Sequence, residues 1–220
     1  MRKQCILSAA ALVTLFASRS AVAETTDEVA AASARKPIAA GMKLGYMKPS
    51  SVVDGTLSIL LEFRWRLPWH ERRLAAAVEV GWNRLVGSGE QVDQQLGSYR
   101  FEWSSHSVPI HLGLEYALPI GGLPIWLQPF VAAGFAMGPV MSSADYRNAD
   151  GHSFITKNPG DGFALGFFAG VGATLPLGPG QALAEYRYES LRTDMQYPWV
   201  NPAAGEFQGH TLHFGYRLEL

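Results

Sequence analysis

Residues 57–67 read Leu-Ser-Ile-Leu-Leu-Glu-Phe-Arg-Trp-Arg-Leu, and they fall into two interleaved frames. Leu57, Ile59, Leu61, Phe63, Trp65 and Leu67 form one; Ser58, Leu60, Glu62, Arg64 and Arg66 form the other. A period of two puts the frames on opposite faces of a β-strand. Bulky aliphatic and aromatic groups on one face and full charges on the other separate two solvents. That is the pattern of a transmembrane barrel strand, with lipid outside and a polar interior.

Related segments follow to the last residue. The pattern predicts eight strands, at 38–48, 56–67, 74–85, 105–118, 125–137, 162–175, 182–191 and 209–220. Each is close to the roughly 9 to 11 residues that cross a membrane at a tilt. The connectors alternate in kind. Those at 68–73, 119–124 and 176–180 are short and begin with proline, whereas 87–104, 138–161 and 192–208 are long and polar; 52–55 is short for an outer connection. Short periplasmic turns alternating with longer outer loops, and an even strand count returning both ends to the same side, predict an all-β, eight-stranded antiparallel up-and-down transmembrane β-barrel.

In the last strand His210, Leu212, Phe214, Tyr216, Leu218 and Leu220 make the apolar frame. This resembles the C-terminal targeting strand of bacterial outer-membrane barrels, with Leu220 where such strands usually end in Phe or Trp. Two further segments carry a family resemblance. They are Ser107-Val108-Pro109-Ile110-His111-Leu112-Gly113-Leu114-Glu115-Tyr116 and Gln128-Pro129-Phe130-Val131-Ala132-Ala133-Gly134. Across 38–220 the chain resembles the small OmpA-like or OmpX-like outer-membrane β-barrel proteins. The resemblance implies the fold, a place in the outer membrane of a Gram-negative bacterium, contact with outer-membrane lipid and lipopolysaccharide, and handling by the assembly machinery through the final strand.

The N-terminus fits that route. Arg2 and Lys3 precede an apolar run, and Ala21-Val22-Ala23 offers a cleavage site, so 1–23 reads as a secretory signal peptide. Residues 24–37 read as a flexible periplasmic lead and 38–220 as the barrel. Cleavage removes Arg2, Lys3 and Arg19 from the 18 Lys and Arg while leaving all 19 Asp and Glu, a net charge of about −4 that argues against a nucleic-acid partner. Cys5 is the only cysteine and lies in the signal peptide, so the mature chain has no thiol chemistry. No run of 18 apolar residues occurs in the mature chain, so a membrane-inserted form must be a closed barrel.

With the apolar frames toward lipid, the opposite frames direct Lys43, Glu62, Arg64, Arg66, Glu79, His111, Glu115, Glu185, Arg187, Glu189, His213, Arg217 and Glu219 into the lumen. Eight strands leave an interior that side chains fill, and buried charges must pair. A structural charge network is therefore expected, with a narrow pore or proton path as the alternative. His111 and His213 share no ligand spacing, and no metal or cofactor is expected.

Lipid-A-modifying barrels carry catalytic signatures of their own. No histidine is followed two residues later by serine, as in the deacylase type; Asp150, His152 and Ser153 share a loop, the residue types of the palmitoyltransferase type. Asn148-Ala149-Asp150-Gly151 lacks the terminal glutamate of a calcium loop. No nucleophile elbow, phosphate loop or zinc-protease motif occurs, so no catalytic residue is expected. Trp65, Trp69, Trp82, Trp103, Trp126, Tyr46, Tyr186, Tyr188 and Tyr216 read as interfacial girdles. The expected role is structural or surface interaction through the outer loops, whose ligand the sequence does not name. The alternatives are a lipid-A-modifying enzyme, a narrow pore, and a soluble lipocalin-like carrier in which the apolar frame faces inward.

Overall fold

The computed structural model describes residues 36–49, 56–68, 72–93, 97–120, 123, 126–148, 152–193 and 206–220. The signal-peptide and most of the lead segment lie outside the described residues, as do the first outer connection, Trp69 and Asp150. The strands are β1 (Ile38–Pro49), β2 (Thr56–Arg66), β3 (Leu74–Asp93), β4 (Gly97–Ser107), β5 (Ile110–Ala117), β6 (Gln128–Asn148), β7 (Ser153–Leu177), β8 (Gly180–Thr193) and β9 (Glu206–Glu219). Every pairing is antiparallel.

β4 and β5 are two halves of one stave. Asn83 pairs with Ser107 and Val80 with Ile110, so the register against β3 is unchanged across the gap. The same holds against β6, where Ser107 meets Val140 and Ile110 meets Met137. The break falls at Pro109, which has no N–H to give the ladder. Its carbonyl still accepts from Gly81 N at 2.8 Å, and Val108 N donates to Pro139 O at 3.1 Å. The ring therefore has eight staves and closes where β1 pairs with β9.

The registers also give the stagger. A walk through paired residues runs Ala39, Arg64, Ala77, Gly113, Gly134, Phe168, Glu189, Gly209 and returns to β1 at Pro49, ten positions beyond its start. A shear of this size over eight staves tilts the strands by about 40°.

Burial follows the two frames of the sequence. On β2 the residues Ser58, Leu60, Glu62, Arg64 and Arg66 are buried, while Leu57, Leu61, Phe63 and Trp65 are exposed. The whole wall is built so: Phe135 is 68% exposed and Arg187 fully buried. An apolar outer wall that includes Met42, Leu44, Val78, Leu112, Phe163, Phe167, Val171 and Phe214 far exceeds the apolar patches water tolerates, and it matches the lipid-facing band of a membrane barrel. A lipocalin-like carrier needs the reverse arrangement.

The structure corrects the predicted strand lengths on the loop side. Segments 87–104 and 138–161, expected as long polar loops, are for the most part paired hairpin arms: β3 pairs with β4 out to Asp93 and Gly97, and β6 with β7 out to Arg147 and Ser153. Along these arms the lipid-type alternation is lost on β3 and reversed on β4, where Tyr99, Phe101 and Trp103 fall in the frame of buried Ser105 and Arg100 and Glu102 in the other, while backbone pairing continues. At the opposite end the connections are tight. Leu177 pairs with Gly180, and Gly178 supplies the φ of +58° that the two-residue turn requires.

Candidate functional site

The lumen gathers all the inward charges that the sequence nominated, in a continuous column. At the turn end Arg66 Nη2 lies 2.6 Å from Glu219 Oε1, Gln181 Nε2 donates to the same oxygen at 2.8 Å, and Arg66 Nη1 donates to Lys36 O at 2.7 Å. Farther in, Arg217 engages Glu62 through Nε and through Nη2 at 3.1 Å, and reaches Glu115 Oε2 at 2.9 Å. Arg64 pairs with the other oxygen of Glu115.

At the centre Lys43 Nζ stands among three carboxylates, 2.9 Å from Glu62, 2.6 Å from Glu79 and 2.7 Å from Glu185. Arg187 spans two of these acids, Glu79 and Glu185, from the loop side. Its Nη1 and Nη2 donate to Glu79 at 2.5 and 3.0 Å, and its Nε donates to Glu185 at 2.8 Å. His111 Nε2 lies 3.1 Å from Glu189 Oε1 while its Nδ1 is 3.8 Å from Glu79; His213 Nε2 lies 3.3 Å from Ser58 Oγ. The two histidines thus take different partners. Among the described residues no three metal-ligating side chains are grouped to hold an ion.

Two aromatic rings that the frame analysis did not assign to the lumen complete the column. Phe168 lies under the Arg187 guanidinium at 4.4 Å from the ring centroid, and Phe130 under Arg217 at 5.3 Å. Both are buried, and such cation–π contacts strengthen where water is excluded. Paired glycines make room for Phe168, since a Cβ on Gly113 would come within 2.6 Å of its Cζ. That cross-strand glycine pair was the available sequence signal.

Toward the loops the charges stop. Met47, Leu85, Ala136, Val140, Ala164, Phe168 and Leu191 form a buried apolar cluster across the lumen. Buried Asn83, Ser105, Ser107 and Ser142 line the same end, with Ser105 and Ser142 hydroxyls 2.7 Å apart. Ion pairs below and apolar side chains above occupy the bore and tie the staves together.

His152 is exposed just before β7, Ser153 begins β7, and Asp150 lies outside the described residues. The aromatic girdle is partly redrawn. Trp65 and Trp126 are exposed at the turn end and Tyr46 and Trp82 at the loop end, but Tyr186 sits midway along β8. Trp103 lies on the projecting β4, opposite Ala144.

No family model and no curated protein matches the chain. Solved structures do. Neisserial surface protein A shares 14% identity over 83% of this chain and 96% of its own, with a TM-score of 0.46. The outer membrane enzyme PagL shares 14% over 82% and 99%, at 0.43. Ail, the attachment invasion locus protein of Yersinia pestis, shares 12% over 82% and 96%, at 0.38. The chain is similar in fold to small outer-membrane β-barrel proteins.

Proposed function

We propose that the protein is a non-enzymatic outer-membrane β-barrel of a Gram-negative bacterium, with a closed lumen that serves the scaffold and a working surface on the strands that project from it. The observation that carries this reading is the mismatch in pairing length around β3. Its bonds to β2 end at Asn83, whereas its bonds to β4 continue to Asp93. β4 pairs in turn with β6, and β6 with β7, so four strands continue beyond the apolar band as one sheet.

One face of this sheet is strongly polar. Glu90, Arg100 and Arg147 occupy one cross-strand row, Ser88, Glu102 and Asp145 the next. Arg147 Nε lies 3.0 Å from Asp145, and the Ser104 and Ser143 hydroxyls are 2.9 Å apart. Projecting loops on a rigid scaffold are the usual site of recognition. The lumen network supports a structural role for Lys43, Glu62, Arg64, Arg66, Glu79, Glu115, Glu185, Arg187, Arg217 and Glu219, each within ion-pair distance of an opposite charge, and for Glu189, which lies 3.1 Å from His111 Nε2.

The test is to shorten both hairpins to the edge of the apolar band and probe the variant against lipid, glycan and host-protein panels. The account expects the trimmed barrel to remain folded and to lose a surface interaction that the full chain shows. Loss of folding, or retention of every interaction, contradicts it.

A further inference from the structure

The outer wall carries a polar notch between β8 and β9, in a place where lipid is expected. Tyr186 is 49% exposed on β8, and its Oη lies 2.8 Å from Nδ1 of exposed His210 on β9. The two rings stack with centroids 5.6 Å apart and planes 12° from parallel. The Tyr188 ring lies tilted against the imidazole at 5.1 Å between centroids, and Phe167 lies 6.2 Å from Tyr188. Exposed Lys48 is the direct cross-strand partner of His210, at the loop end of β1. Tyr46, Leu212 and Phe214 around this group are exposed and apolar.

The hydrogen-bonding capacity of the notch has a sign. If the Tyr186 hydroxyl donates to Nδ1, the neutral ring carries its proton on Nε2 and offers a donor; if Nδ1 donates to Tyr186, the hydroxyl proton is left to offer. Lys48 adds an ammonium with three donors and no acceptor. The outward frames of β1 and β8 contain no carboxylate, and on β9 the nearest is Glu206, four residues toward the loops. A lysine at the edge of an apolar band extends its stem along the wall and its charge to the headgroup plane.

We propose that Lys48, His210 and Tyr186 form a docking site for the phosphate of a phosphorylated glycolipid in the outer leaflet, with Tyr188 and Phe167 lying against its acyl or sugar portion. Charge complementarity selects the phosphate, and the position at the hairpin end of the barrel selects the leaflet. The inference rests on the orientation proposed above, which surface labelling of the hairpins tests separately.

The experiment is native mass spectrometry of the purified protein in detergent, titrated with bisphosphorylated lipid A, its dephosphorylated form and phosphatidylglycerol. Retained heat-dependent gel mobility certifies that each variant is folded. Wild type is expected to hold lipid A in preference to the other two. Lys48→Gln and His210→Leu should each weaken that binding about tenfold, as loss of one charge-assisted hydrogen bond does. Tyr186→Phe, which keeps the ring, should weaken it by about threefold, and Arg147→Gln on the projecting sheet should leave it unchanged. Absence of a lipid A adduct, equal binding of phosphatidylglycerol, or folded Lys48 and His210 variants with wild-type binding overturns the assignment.

Discussion

Arg187 shows what a polar lumen demands of a single residue. Its guanidinium is fully buried, forks onto Glu79 and Glu185, and lies over Phe168. Removing one partner of a buried ion pair strands the other charge. Arg187→Met should therefore destabilise the barrel by about 3–5 kcal/mol, measured by reversible urea unfolding in lipid vesicles. Adding Glu79→Gln should recover part of that loss, because one stranded charge is gone. Arg187→Lys keeps the charge but not the planar fork, and should fall between wild type and the methionine variant. On the opposite face Leu61 is 59% exposed near the middle of the apolar band. There an arginine meets lipid, and Leu61→Arg should cost about 2–4 kcal/mol in the same assay. A neutral Arg187→Met or a neutral Leu61→Arg would each remove one face from the account.

Elements were legible where the two solvents differ. β2 and β9 have one frame in lipid and one in the lumen, so their alternation survives in the sequence and their inward residues are found at the expected positions. The stave formed by β4 and β5 was also readable through its proline, because the frames on either side of Pro109 stay in phase. The hairpin arms were not read as strands because the lipid-type pattern ends: β3 beyond Val86 is glycine-rich and polar, and β4 turns the alternation over, with Tyr99, Phe101 and Trp103 in the frame of buried Ser105 and Arg100 and Glu102 in the other. β6 and β7 hid Phe130 and Phe168 for a different reason: both of their faces carry small and aromatic residues, and depth there is set by cross-strand glycines such as Gly113 and Gly134. Unequal hairpins at the two ends fix a topological prediction. A protease site inserted at 149–151 should be cut on intact cells, and one at Gly178 only after the outer membrane is opened. The reverse pattern would invert the barrel.

The whole molecule is a ring of eight staves with shear ten whose bore is occupied from the Arg66–Glu219 pair to the apolar cluster around Val140 and Leu191. A bore occupied in this way predicts that the purified protein gives no steady ohmic conductance of the porin kind in planar bilayers. Sustained open-channel current would favour the pore alternative over a structural lumen.

The central claim is that the odd frame of β2 faces lipid and the even frame faces a polar interior. Because the sole cysteine lies in the predicted signal peptide, single-cysteine variants at positions 57–65 can each be spin-labelled in lipid vesicles without a background thiol. Accessibility to dissolved oxygen, which partitions into the bilayer, should oscillate with a period of two and peak at Leu57, Ile59, Leu61, Phe63 and Trp65. Maxima at Ser58, Leu60, Glu62 and Arg64, or no oscillation at all, would contradict the account.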